Sequence, residues 1–169
     1  MKEAVSAAST RLFSTILTVT FLLCAMSAFA QQPSIEGTYQ LIGRKLPDGT
    51  NIAPPNVMGL LSLSRGYRNL NVLWKDANGK WSSYSIAATY RLTATQYSET
   101  ILFNIFYDAS SGQGVAYSTT GETKLVPIKT EGGRVLFTLP WNEPSVVFDG
   151  NKLTATIEGA FIDFWEKVE

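Results

Sequence analysis

The sequence predicts an all-β fold, a single antiparallel up-and-down β-barrel of about 8–10 strands. Turn signals recur along the chain, as in Pro47-Asp48-Gly49, Asn78-Gly79 and Asp149-Gly150. Glycine and asparagine at such positions accept the positive φ that tight hairpins require. The segments between the turns have roughly 5–12 residues, a spacing typical of β-sandwiches and barrels. No segment shows the apolar spacing of a helix.

Alternation of apolar and polar residues identifies the strands in order along the chain. The segment before the Asn78-Gly79 turn and the segment after it each keep one consistent face, and three later segments do the same. The predicted inward faces are Arg68, Leu70, Val72 and Trp74; Tyr84, Ile86, Ala88, Tyr90 and Leu92; Ile101, Phe103, Ile105 and Tyr107; Val135, Phe137 and Leu139; and Leu153, Ala155 and Ile157. Short turns between them indicate an antiparallel meander, and closure into a barrel would remove its edges.

The longest irregular connection runs from residue 45 to residue 56 and contains Pro54-Pro55. An ordinary hairpin does not accommodate this proline-rich stretch. We expect the loop at one rim of the barrel. There it acts either as a lid over the interior or as a passive surface loop.

The first 30 residues have the pattern of a Sec-type signal peptide. Lys2 and Arg11 flank a short polar region, an apolar run follows over residues 12–26, and Ala28-Phe29-Ala30 provides small residues around the cleavage site after Ala30. Removal of the peptide also removes Cys24 and leaves one domain, residues 31–169, without cysteine. We therefore expect a secreted or periplasmic protein that does not span the membrane after cleavage.

Composition excludes several chemistries. The 169 residues include no histidine, so histidine-based catalytic triads and histidine-ligated metals are ruled out. Lysine plus arginine and aspartate plus glutamate each number 14, and the absence of a concentrated basic stretch argues against a nucleic-acid partner. The sequence predicts no cofactor, no metal site and no catalytic residue.

The opening and closing segments carry a family resemblance. Ile35-Glu36-Gly37-Thr38-Tyr39 begins the domain, a Leu46-Pro47-Asp48-Gly49-Thr50 turn and the segment 59–67 follow, and Phe164-Trp165-Glu166-Lys167-Val168 ends it. This order resembles the bacterial lipocalin-like domain family of the calycin superfamily. The resemblance implies a cup-shaped barrel that holds a small apolar or amphipathic molecule. Tyr39 stands where lipocalins usually carry tryptophan, and the last strand has no arginine.

The candidate ligand-binding residues are large rings and one arginine that alternation places inside the barrel. Their apolar surfaces would contact a ligand and their hydroxyls would orient it, although the same rings could instead simply fill the core. The candidates are Arg68, Trp74, Tyr84, Tyr90, Phe103, Tyr107 and Phe137. Arg68 either holds a ligand carboxylate with its guanidinium or reaches solvent at the rim.

Binding of a small hydrophobic or amphipathic molecule, without catalysis, is the function we expect from these features. One alternative is a soluble periplasmic barrel whose surface binds or inhibits a protein partner. A second is a barrel isomerase or cyclase that uses tyrosine and carboxylate side chains, although Asp163 and Glu166 would face opposite ways on a strand. An outer-membrane barrel is disfavoured because several strands are too short to span.

Overall fold

The computed structural model describes residues 33–168 apart from 77 and 142, so the predicted signal peptide lies outside the described residues. Thirteen strands account for the regular structure of this part of the chain. Within it, no helix is long and apolar enough to cross a membrane. The strands are β1 (Gly37–Lys45), β2 (Asn51–Ile52), β3 (Val57–Ser64), β4 (Tyr67–Lys75), β5 (Trp81–Leu92), β6 (Gln96–Tyr107), β7 (Ala116–Ser118), β8 (Thr123–Pro127), β9 (Lys129–Glu131), β10 (Arg134–Thr138), β11 (Ser145–Asp149), β12 (Lys152–Ile157) and β13 (Phe161–Val168).

The strands form one antiparallel sheet that curls into a half-barrel. Its hydrogen-bonded order is β7-β6-β5-β4-β3-β1-β13-β12-β11-β10-β9, with β2 beside β1 and β8 beside β6. The first and last strands pair directly, because β1 lies between β3 and β13. The all-β antiparallel prediction is confirmed.

Closure of the predicted barrel is not observed. Among residues 33–168, no ladder joins β7 or β8 to β9 or β10, so the sheet keeps two edges. The interruption follows from the chain after β6, where two short strands, β7 and β8, share β6 as their partner instead of extending the meander. The expectation of 8–10 strands is also wrong, because the sheet has thirteen strands, three of which (β2, β7 and β9) have only two or three residues.

A column of aromatic rings fills one end of the half-barrel, which we call the closed end. Tyr97 stacks on Phe137 with ring centroids 4.6 Å apart, and Phe137 stacks on Phe148 at 6.0 Å. Tyr39 meets the edge of Phe148 at 5.7 Å, and its hydroxyl donates to the carbonyl of Ile35. Large aromatic side chains therefore pack against one another in this part of the core.

Two β-bulges change which residues face inward. In β6, Ala88 pairs with Ile101 but Ala87 pairs with Phe103, so Leu102 is an extra residue. In β1, Leu41 pairs with Trp165 but Gly43 pairs with Phe164, and the extra residue is Ile42. An inserted residue reverses the alternation beyond it, because successive side chains of a strand point to opposite faces.

The 45–56 loop lies at the other end of the half-barrel, which we call the cavity end. It is more regular than we expected, because Ile52 pairs with Arg44 and forms a short hairpin with the end of β1. The amide of Lys75 donates to the carbonyl of Asn56 at 2.9 Å, which ties the loop to β4. The loop sits at a rim as predicted, but none of residues 45–56 lines the cavity described below.

Candidate ligand-binding cavity

A cavity of about 340 Å³ opens at the cavity end, where β1, β4, β6, β10 and β12 finish and β5, β11 and β13 begin. Its walls are mostly apolar. They come from opposite sides of the curled sheet, so the cavity occupies the interior itself. The aliphatic lining is Leu61, Leu70, Val72, Leu139, Val146, Leu153, Ala155 and Ile157, and the aromatic lining is Trp74, Tyr84, Phe106, Phe161 and Trp165.

One wall of the cavity depends on a glycine. The Trp165 ring lies directly against the backbone of Gly59, and a Cβ built on Gly59 would come within 2.8 Å of that ring and 3.1 Å of the carbonyl oxygen of Asn71. Any side chain at this position would push the ring toward the cavity or separate β3 from its neighbours. The indole N–H of Trp165 has no hydrogen-bond partner among the described residues.

A buried ion pair braces the rim between β1 and β13. The Arg44 guanidinium donates to both oxygens of Asp163, from Nε at 2.6 Å and from Nη2 at 2.8 Å. It also lies over the Phe161 ring, 4.0 Å from the centroid. Burial raises the pKa of Asp163, and the hydrogen bonds and charge of Arg44 oppose that rise. The bidentate geometry offsets part of the desolvation of the Asp163 carboxylate.

A second buried cluster, which we call the Arg68 cluster, lies where the cavity meets the closed end. Arg68 Nη1 donates to Glu99 at 2.9 and 3.1 Å, and Arg68 Nη2 donates to Glu143 Oε2 at 2.5 Å. The Tyr97 hydroxyl donates to the same Glu99 carboxylate. Arg68 is 3% exposed, yet its pKa is raised, because the attraction of Glu143 and Glu99 outweighs the desolvation that alone would lower it.

Arg68 and Glu143 are the members of this cluster that line the cavity. One oxygen of Glu143 accepts from Arg68, and the other, Oε1, has no hydrogen-bond partner in the described part of the chain. Burial raises the pKa of the Glu143 carboxyl, and Arg68 opposes the rise. Tyr84 lies near enough for its own pKa to be raised by burial first and by the Glu143 charge second. The Tyr84 hydroxyl does not donate a hydrogen bond of normal geometry to Glu143 Oε1.

The structure brings three of the seven predicted site residues to the cavity, namely Arg68, Trp74 and Tyr84. Tyr90 and Phe137 face inward but belong to the packed core of the closed end, where Tyr90 stacks on Tyr97 at 5.7 Å. Burial raises the pKa of Tyr90 to about 12. Tyr90 and Phe137 therefore fill the core and do not line the cavity.

The predicted inward orientation of Phe103 and Tyr107 is wrong. Phe103 is 45% exposed and Tyr107 is 37% exposed, and both lie on the outer face of the sheet. The bulge at Leu102 causes the error, because it turns Asn104 and Phe106 inward in their place. Beside them on the outer face, Tyr117 pairs with Ile105 and is 75% exposed.

Neither hypothesis for Arg68 describes what the structure shows. Arg68 does not reach solvent, because its side chain is buried. It is not free to hold a ligand carboxylate either, since Glu99 and Glu143 occupy both ends of its guanidinium. A buried guanidinium needs a paired anion, and here two protein carboxylates meet that need.

The sequence did not predict four side chains of the buried ion pairs as binding residues: Arg44, Glu99, Glu143 and Asp163. The bulge at Ile42 brings Arg44 to the inner face, where strict alternation from Tyr39 would place Gly43. Glu99 carried a usable signal, because it is two residues before Ile101 and therefore shares its face. Asp163 precedes the inward Trp165 by two residues in the same way, whereas exposed Glu166 faces outward. No periodic pattern could find Glu143, which lies in the β10–β11 connection.

Comparisons with known proteins add little to this geometry. No family model matches the chain, and neither does any curated protein. Among solved structures, an uncharacterized protein from Bacteroides eggerthii is 14% identical and has a TM-score of 0.34, over 79% of this chain and 99% of that one. A likeness of this size identifies no shared fold. The resemblance to the lipocalin-like family stays a prediction. Across residues 33–168, no three histidine, cysteine, aspartate or glutamate side chains are grouped to hold a metal ion.

Proposed function

We propose that this protein binds a small, largely apolar molecule in the cavity at the cavity end of the half-barrel. The observation that carries the proposal is the cavity itself, about 340 Å³ in volume and walled by aliphatic and aromatic side chains. Ligand pockets of proteins usually have volumes of roughly 300–1,000 Å³ and apolar walls with a few placed polar groups. Glu143, Tyr84 and the Arg44–Asp163 pair are polar groups of that kind.

The contrast between the two ends supports binding over simple core packing. A core normally fills its interior to crystal-like density and leaves few voids larger than a water molecule. The closed end follows that rule, since its rings stack at 4.6–6.0 Å. The cavity is many times larger than a water molecule and opens at one rim. Such a space is expected where a protein binds another molecule.

The predicted signal peptide would make this an exported binding protein. That location rests on residues 1–30 alone, which lie outside the described residues. Binding in the cavity does not depend on it.

Fluorescence tests the proposal directly, because Trp74 and Trp165 line the cavity. The probe is N-phenyl-1-naphthylamine, a neutral apolar fluorophore, added to the purified chain without residues 1–30. We expect saturable binding with energy transfer from tryptophan. Ala155→Phe adds a ring to the cavity wall and should weaken binding at least about tenfold, while Ala116→Phe, on an exposed edge strand, should leave it unchanged.

Native mass spectrometry of the unmodified protein provides a check that needs no variant, and a 1:1 complex with the same probe is expected. Absence of binding, or equal binding by the Ala155→Phe protein with its fold retained, contradicts the proposal. The search for function would then move to the exposed aromatic side chains on the outer face, Trp81, Phe103, Tyr107 and Tyr117.

A further inference from the structure

The cavity has one polar atom that is ready to accept a hydrogen bond from a ligand. Glu143 Oε1 is buried and unpartnered among the described residues, and the Glu143 side chain is only 10% exposed. A buried acceptor without a donor costs free energy, so such an atom calls for an explanation. The other carboxylate oxygen is held by Arg68, which fixes the orientation of the group at the cavity wall.

The charges around the cavity do not balance. Arg44 and Asp163 neutralise each other as a bidentate pair. In the Arg68 cluster, however, one guanidinium serves two carboxylates, Glu99 and Glu143. With both carboxylates ionised, the interior carries one negative charge in excess. Excess charge in a poorly solvated site favours a ligand of the opposite sign.

We propose that the ligand is an apolar molecule with a protonated amine, and that this amine donates a hydrogen bond to Glu143 Oε1. This inference rests on the proposed function and specifies the class of ligand for the same cavity. The ammonium group supplies both things that the site lacks, a donor for the free oxygen and a positive charge beside the second carboxylate. The apolar body contacts the aliphatic and aromatic walls.

The same geometry disfavours an anionic ligand such as a fatty acid. Both arginines that line the cavity already donate to protein carboxylates, so a ligand carboxylate would have to displace one of them. It would also lie beside Glu143, a like charge at short range. A neutral alcohol should have an affinity between those of the amine and the carboxylate, because it donates one hydrogen bond without supplying charge.

Three ligands with the same eight-carbon chain separate these cases: octylamine, octanol and octanoate. Their affinities are measured by displacement of N-phenyl-1-naphthylamine and by calorimetry at pH 7.5. We expect octylamine to bind at least about tenfold more tightly than octanol, and octanoate to bind most weakly. The order of affinities in the unmodified protein is sufficient by itself, even if a variant fails to fold.

The variant Glu143→Gln keeps the shape of the side chain and removes its charge. It should abolish the advantage of octylamine over octanol, because the acceptor then carries no charge to attract the ammonium group. Glu158→Gln is the matched control, because Glu158 is an exposed glutamate in the β12–β13 turn at the same end and does not line the cavity. It should keep the full advantage of octylamine.

The outcomes distinguish this inference from the proposed function. Equal affinity for the three ligands, tightest binding of octanoate, or an octylamine advantage that survives Glu143→Gln each overturns the amine proposal. In those cases the cavity function still stands if Ala155→Phe weakens all binding. A protein that binds neither the naphthylamine nor any of the three ligands overturns both.

Discussion

The two ends of the half-barrel are built from the same strands but have opposite interiors. At the closed end, Tyr97, Phe137 and Phe148 stack into a continuous column. The cavity end carries the Arg44–Asp163 pair, the Arg68 cluster lies where this end meets the closed end, and a space of about 340 Å³ remains beside them. Alternation selects the residues that face inward at both ends. It does not determine whether they fill the interior.

Buried ion pairs explain part of this difference. A guanidinium held by two protein carboxylates is fixed in position and cannot collapse into a neighbouring void as a flexible apolar chain would. Such pairs are costly to desolvate, and they add little stability compared with apolar residues of similar volume. The cavity end thus has less dense apolar packing than the closed end and contains polar groups that are held in place, as binding sites usually do.

The largest effect should come from removal of the cation that holds two acids. Arg68→Met leaves Glu99 and Glu143 buried without their counter-ion, and we expect a loss of about 5 kcal/mol in the free energy of unfolding. Urea denaturation measures it. Arg91→Met, at an exposed position of β5, serves as the control and should change stability by less than about 0.5 kcal/mol. Similar values for both variants would show that the cluster does not brace the fold.

Truncations at the two ends should differ in cost. Phe137→Ala removes the centre of the ring column and should destabilise the protein by about 3–5 kcal/mol. Leu70→Ala enlarges a space that already exists, and its cost should lie near the lower limit for such changes, about 2 kcal/mol. Chemical denaturation of both variants gives the comparison. A more costly Leu70→Ala would contradict the packing contrast between the ends.

A smaller effect should come from a substitution behind the Trp165 ring, which forms part of the cavity wall. Gly59→Ala places a methyl group against the Trp165 ring, with an expected cost of about 1–3 kcal/mol and weaker binding of the naphthylamine probe. Gly114→Ala is the matched control, because nothing lies within 4 Å of a Cβ at that position. Thermal unfolding and probe titration follow both effects, and unchanged binding by a folded Gly59→Ala protein would exclude this wall from the site.

The smallest effect concerns pH. Burial raises the pKa of Glu143 in the folded state, so folding favours the protonated carboxyl and the folded protein takes up a proton as pH falls through that pKa. The unmodified protein should therefore gain stability relative to Glu143→Gln when the pH is lowered from 8 to 5. Leu70→Ala alters no ionisable group, so its difference from the unmodified protein should stay constant. Denaturation midpoints of each protein at each pH measure this difference. A loss of stability of the unmodified protein relative to Glu143→Gln at pH 5 would contradict a raised pKa of Glu143.

The sequence was sufficient for the strands but not for the site. Turn dipeptides and alternation locate most strands because both signals are local, and Trp74 and Tyr84 follow from alternation alone. Glu143 could not be predicted, since its partner Arg68 is 75 residues earlier in the chain and only the tertiary fold brings them together. Barrel closure failed as a prediction for a similar reason, because the pairing of β7 and β8 is decided by long-range contacts.

The extra residue in β6 has a consequence for the origin of the cavity. If Leu102 instead joined a regular ladder, so that it paired with Ala87 and Phe103 moved opposite Ile86, then Phe103, Ile105 and Tyr107 would all point into the half-barrel. Three bulky side chains would then crowd the interior where Asn104 and Phe106 now lie. A one-residue difference in pairing thus separates a hollow half-barrel from a crowded one, and the bulge at Leu102 keeps the interior open.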